Sequence, residues 1–245
     1  MPLIITIIIG ATVGIIINYF ADVLPVSRRI TRPICKTCDE PYSLKDYLFT
    51  YRCSGCGTRK SSRSIMVIIA TIAANIFFYF FPLPKLSSWA LFPILIFLGL
   101  IIVIDIEHRV VLIQTTIIGF VLLSIYGIIF RDLSSTVYGT LAGFLIMIAF
   151  YFLGIGFTKI MGIIRNKKID EVAFGFGDVC MGTILGSLVG WPSIVGAILI
   201  SILAFAAFSI ALFLVLLLVN KYHAFSNTLP FTIFLIFGAI AVFYL

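Results

Sequence analysis

Apolar residues run through this chain in long blocks separated by short polar joints. The blocks cover residues 3–24, 65–83, 89–106, 110–130, 136–164, 172–190, 193–219 and 229–245. Each comes close to, or exceeds, the roughly 20 residues a helix needs to cross the hydrocarbon core of a bilayer. A membrane barrel would show strands alternating apolar and polar positions, which these blocks do not do. In lipid, a spanning segment must satisfy its backbone polar groups internally, so the blocks predict eight transmembrane helices. The expected fold class is an all-α polytopic membrane protein. Its expected parts are a first transmembrane helix (1–24), a polar loop (25–64) and a seven-helix membrane core (65–245).

Composition excludes a soluble domain. The 245 residues are 62% hydrophobic and 11% charged, with a mean hydropathy of +1.21. The formal charge of +7 does not point to nucleic acid, because the basic residues sit in the joints, where orientation rules already account for them. If the N-terminus lies outside, fifteen of the seventeen Lys and Arg fall in cytoplasmic joints, and only Lys85 and Arg131 fall on the other side. A missed helix would scramble that split. The first block has no Lys or Arg before it, and Arg28, Arg29 and Arg32 follow it. That is the reverse of a cleaved signal peptide, so it reads as an uncleaved span.

Ten acidic residues make each one easy to weigh. Asp178 closes the string Gly175-Phe176-Gly177-Asp178 near the start of the sixth block, about 9 Å in from Val172 at helical rise. Asp105 closes the third block. A carboxylate near hydrocarbon costs several kcal/mol and is a functional-site hypothesis by default. The topology puts both on the cytoplasmic side at similar depth. Two adjoining carboxyl groups cannot both ionise readily, and such a pair can activate a water against a peptide carbonyl. One serves as base and the other as acid, and the two titrate as a unit. Gly182, Gly186 and Gly190 follow Asp178 as a stripe that lets a neighbouring helix approach closely and turns Asp178 inward. Gly175 and Gly177 suit a backbone that bends or admits a substrate strand. The plain alternatives stand beside this reading. Asp178 is also what a helix N-terminus favours at an interface, and Asp105 belongs to a charged helix end with Glu107, His108 and Arg109. Glu107 is the fallback member of the pair, and His108 either orients a carboxylate or is solvated. Asn18 and Asp22, in the inner third of the first block, are either interfacial or functional.

The polar loop carries Cys35-x2-Cys38 and Cys53-x2-Cys56. Two such knuckles can close a tetrahedral metal site in a small zinc-ribbon-like domain. Structural zinc is the expected occupant, since four thiolates leave no open coordination position; a redox dithiol or an empty site is the alternative. Disulfides are disfavoured in the cytoplasm. The nine basic residues of this loop suit anionic lipid headgroups. Cys180 reads as a small core residue.

The string Gly175-Phe176-Gly177-Asp178, with Asp105 followed by Glu107-His108-Arg109, resembles the bacterial type IV prepilin peptidases, membrane aspartic proteases of the GxGD type. The resemblance extends to the first block from Asn18 through Pro25, to the four-cysteine loop and to the eight-span layout. It implies residence in the cytoplasmic membrane and Asp105 and Asp178 as the catalytic pair. It also implies cleavage of the short basic leader of type IV prepilin or pseudopilin precursors, after a glycine, at the cytoplasmic face. A second implied activity methylates the new N-terminus with S-adenosylmethionine, although the chain has no glycine-rich nucleotide fingerprint. The chain departs from the family pattern in three places. Val110-Val111-Leu112-Ile113 holds no proline, Val179-Cys180-Met181 holds no lysine, and Leu229-Pro230-Phe231-Thr232 stands where a Pro-Phe-Gly-Pro-like turn is usual. The rival reading is a transporter or ion carrier with a zinc-stabilised loop, which would spread polar residues through the mid-membrane. Here the acids sit near one face.

Overall fold

The computed structural model describes residues 3–28, 31–35, 37–43, 46–47, 52–58, 62–83, 88–165, 175–218 and 230–245. Arg29, Lys85, Lys167, Lys168, Lys221 and the expected block starts at Val172 and Leu229 lie outside them. Among the described residues the chain forms helices joined by loops, with no strand beyond an isolated Ile34–Pro41 bridge. Six helices among the described residues are long and apolar enough to cross a membrane. The chain divides into two compact units, Met1–Arg109 and Val110–Leu245.

The first unit holds α1 (Leu3–Ser27), α2 (Arg63–Phe80) and α3 (Ser88–His108). Lipid tails are as apolar as leucine, so helices in a bilayer associate by close packing and not by escape from water. Gly10 and Gly14, one turn apart on α1, provide that packing. A Cβ at Gly10 would lie 2.8 Å from the Ile72 Cα of α2, and one at Gly14 would lie 2.9 Å from the Ile68 Cα. On the other side, Ile17 is fully buried and fits against Gly99 of α3.

The second unit holds α4 (Ile113–Phe130), α5 (Leu133–Arg165), α6 (Phe176–Val189), α7 (Ser193–Leu218) and α8 (Thr232–Tyr244). Its centre is α6, which packs against all four of the others. Apolar residues surround α6 on every side, the pattern of a helix enclosed by others. Met181, Ile184, Leu185 and Val189 are all buried. The stripe of Gly182, Gly186 and Gly190 meets a matching pair on α5. A Cβ at Gly143 would fall 2.3 Å from the Gly182 carbonyl oxygen, and one at Gly139 would fall 2.4 Å from that of Gly186. Gly190 ends the helix at φ 72, a conformation that favours glycine. By contrast, α7 buries little more than Ile194, Ala197, Ile198 and Ser201. The helix α6 has 14 residues, about 21 Å at helical rise, against the roughly 30 Å of a hydrocarbon core. The helix carrying Asp178 starts at Phe176, because the chain is extended at Gly175 (φ −81, ψ 156).

Candidate active site and metal centre

Asp178 occupies the first turn of α6, as its third helical residue, and is half-buried. The first N–H groups of any helix lack intrahelical partners. Here a carboxylate supplies one: the Gly175 N–H donates to Asp178 Oδ2 at 3.1 Å, and the Asp178 N–H donates to the Gly175 carbonyl at 3.0 Å. The other oxygen, Oδ1, accepts from the Thr232 hydroxyl at 3.3 Å. Thr232 opens α8 and is 1% exposed. Gly177 faces the Val111 side chain, which a Cβ would approach to 2.6 Å. The carboxylate thus caps its own helix, which the helix N-terminus favours electrostatically, and it is tied to a second helix.

Asp105 lies in the last turn of α3, in the first unit, and is buried at 9% exposure. Its backbone carbonyl accepts the Arg109 N–H at 3.0 Å. Beside it runs a network that sequence reasoning did not anticipate. Arg63, at the start of α2, pairs with Asp22 of α1 and donates to Glu107 Oε2 of α3 at 2.6 Å. The Tyr47 hydroxyl donates to Asp22 Oδ2 at 2.6 Å. Burial, then the Asp22 charge, push the Tyr47 hydroxyl well above the usual phenol range. Asn18 is 2% exposed and donates through Nδ2 to the Ser64 carbonyl at 3.0 Å. Asn18 and Asp22 therefore fasten α1 to the start of α2, and Glu107 is held by Arg63. His108 Nε2 lies 3.9 Å from Glu107 Oε2. In the sequence Arg63 is one of nine basic residues in the 25–64 segment, abutting an apolar block, and the orientation rule accounts for all of them alike.

The four loop cysteines come together, with their Sγ atoms all within 4.8 Å of one another. Cys35 and Cys56 are 3.7 Å apart, and Cys38 and Cys53 are 3.5 Å apart. A tetrahedron with metal–sulfur bonds of about 2.3 Å has edges of about 3.8 Å, whereas a disulfide requires about 2.05 Å. The set therefore fits a metal ion such as zinc. Each knuckle is folded alike. The Asp39 N–H donates to the Cys35 carbonyl at 3.0 Å, and the Gly57 N–H donates to that of Cys53 at 2.9 Å. Asp39 (φ 56) and Gly57 (φ 69) both take the left-handed conformation the turn requires. Amides of Thr37 and Cys38 aimed at its sulfur bring the Cys35 thiol down to about 6. The Thr58 hydroxyl and amide lower that of Cys56. The Glu40 amide pulls Cys38 down, but the Cys53 thiol and burial outweigh it and push Cys38 up to about 12. Cys180 lies on α6 as a half-buried side chain.

An all-helical chain with several membrane-crossing helices, a carboxylate capping its most enclosed helix and a four-thiolate centre defines a polytopic membrane protein with an internal polar site. Residues 92–210, which include both Asp105 and Asp178, match the model of the type IV leader peptidase family. No curated protein and no solved structure matches the chain.

Proposed function

We propose that this protein is an aspartic endopeptidase that removes the leader from type IV prepilin-like precursors, with Asp105 and Asp178 as its catalytic pair. The observation that carries the reading is the family match, which spans both aspartates. In this reading one carboxylate takes a proton from a water as it attacks the scissile carbonyl. The other, protonated, gives its proton to the carbonyl oxygen or the leaving amine. The pair then returns to its starting state by exchanging a proton with solvent. The reading requires the two carboxyl groups to come within reach of one water. The burial of Asp105 and the hydrogen bonds on Asp178 suit groups held for such chemistry. Gly175, where an added Cβ would meet nothing nearer than 3.9 Å, keeps the chain beside Asp178 slim enough for an extended substrate segment, while Gly177 lets Val111 pack against the helix start.

The distribution of Lys and Arg supports an orientation with the N-terminus outside and the cysteine loop and both aspartates at the cytoplasmic face of the cytoplasmic membrane. In the four-thiolate site we place structural zinc, held by Cys35, Cys38, Cys53 and Cys56. Zinc there supplies folding energy to the loop and takes no part in cleavage. The proposal covers cleavage alone; methylation rests only on the resemblance.

The test is co-expression with a prepilin-like precursor, following leader loss by mass. Asp105→Ala and Asp178→Ala each abolish processing at unchanged protein level. Processing retained by either variant removes that residue from the pair.

A further inference from the structure

Hydroxyls on the helices of this chain mostly bond backward. Thr115, Thr136, Thr140, Thr158 and Thr183 each donate to a carbonyl three or four residues earlier. Ser187 and Ser201, both fully buried, do the same. This habit satisfies a hydroxyl locally and links it to nothing else. Thr232 differs. As the first residue of α8, it has no turn of its own helix behind it to accept. Its side chain is sealed at 1% exposure, where a hydroxyl without an acceptor is costly. The bond it makes crosses to another helix and ends on Asp178 Oδ1, 3.3 Å away.

Asp178 is thereby held at two points. The Gly175 amide fixes Oδ2 from the loop side, and Thr232 fixes Oδ1 from α8. One donor alone leaves a carboxylate free to rotate about its terminal bond, a broad and shallow torsion. Two donors on opposite oxygens fix the plane of the group. A catalytic carboxylate misplaced by about 1 Å loses much of its rate, so this second donor bears on turnover as well as on packing.

We propose that Thr232 is a positioning residue for Asp178, its hydroxyl holding the carboxylate in the orientation used for cleavage. This rests on the reading of Asp178 as catalytic. It assigns α8 a part in the site that lies beyond the stretch matched to the family, which ends at residue 210.

Thr232→Val keeps the branched shape and removes the hydroxyl, whereas Thr232→Ser keeps the hydroxyl and removes a methyl. The experiment uses the full chain in proteoliposomes. The substrate is a prepilin-like precursor with a short basic leader ending in glycine. Thermal midpoints establish that each variant is folded. Thr232→Val lowers kcat about tenfold, the size expected for one lost hydrogen bond to a charged group, with KM unchanged. Thr232→Ser stays within about threefold of the parent on the same scale. A wild-type kcat for Thr232→Val overturns the proposal. So does equal loss in both variants, which marks a packing role. Asp178→Ala is measured alongside. If it still cleaves, the catalytic reading itself falls, and the role of Thr232 with it. If it is inactive while Thr232→Val is normal, only the role of Thr232 falls.

Discussion

Arg63 holds carboxylates from two different helices. Its side chain is 16% exposed, and it joins Asp22 of α1 to Glu107 of α3. A planar fork with several donors does this where a lysine ammonium cannot reach both in fixed geometry. Arg63→Met leaves Asp22 and Glu107 facing each other without a cation. Breaking a buried pair from one side costs roughly 3–5 kcal/mol, and partial exposure here reduces that to about 2. The thermal midpoint of the variant falls by several degrees. Adding Asp22→Asn and Glu107→Gln to Arg63→Met recovers part of the loss, which a melting series measures; no recovery means that charge is not what the arginine supplies. This network was not legible in the sequence. Asp22 and Arg63 are separated by the whole polar loop, and no periodicity relates them. Arg63 looked like one more positive residue flanking a membrane helix. Thr232 was hidden for a similar reason, since its partner lies 54 positions away. Asp178 stood out because a carboxylate beside a long apolar run is costly wherever it points.

At the level of helices, glycine spacing carried more information than hydrophobic patterning. Each helix is apolar almost all round, so no amphipathic face shows which side packs. The four-residue stripe from Gly182 to Gly190 shows it for α6, and the structure sets that stripe against Gly139 and Gly143 of α5. Gly10 and Gly14 of α1 obey the same rule and could have been found the same way. Helix ends were less legible. The block containing Asp178 is continuous in hydropathy, yet the chain is extended at Gly175 and becomes helical only afterwards. Hydropathy does not register a cap formed by a backbone amide and a carboxylate three residues on. The packing predicts a contrast between two glycines. Gly186→Val places a Cβ 2.4 Å from the Gly139 carbonyl oxygen and destabilises by about 1–3 kcal/mol through overpacking. Gly156→Ala meets nothing within 4 Å and leaves the thermal midpoint within a degree or so, or raises it slightly through helix propensity. Equal melting of both variants contradicts the close α5–α6 approach.

For the whole molecule, the sequence pattern conveyed the class, while the structure supplied what holds each part. The cysteine loop was the most legible feature, because two x2 knuckles constrain geometry strongly, and the four sulfurs do converge. With structural zinc in the site, as proposed, metal binding supplies folding energy to the loop. The proposed zinc site predicts about one zinc per chain in the purified protein, the stoichiometry of a single four-thiolate site. Cys53→Ser, or a strong chelator, removes the zinc and opens the loop to protease, while the membrane helices stay folded. Metal analysis with limited proteolysis checks this, and a loop that resists protease without metal contradicts it.

We propose that Asp105 and Asp178 work on a single water. Cross-linking tests it most directly. In membranes, Asp105→Cys and Asp178→Cys are combined in a background with Cys35, Cys38, Cys53, Cys56 and Cys180 replaced by serine, and a short thiol-specific bifunctional reagent is added. An internal protease site placed between the two positions reports the link as a covalent joining of the fragments. A paired site gives efficient joining in the double variant and none in either single variant. Failure of the double variant to join, with both cysteines shown to be reactive, contradicts the paired-carboxylate mechanism.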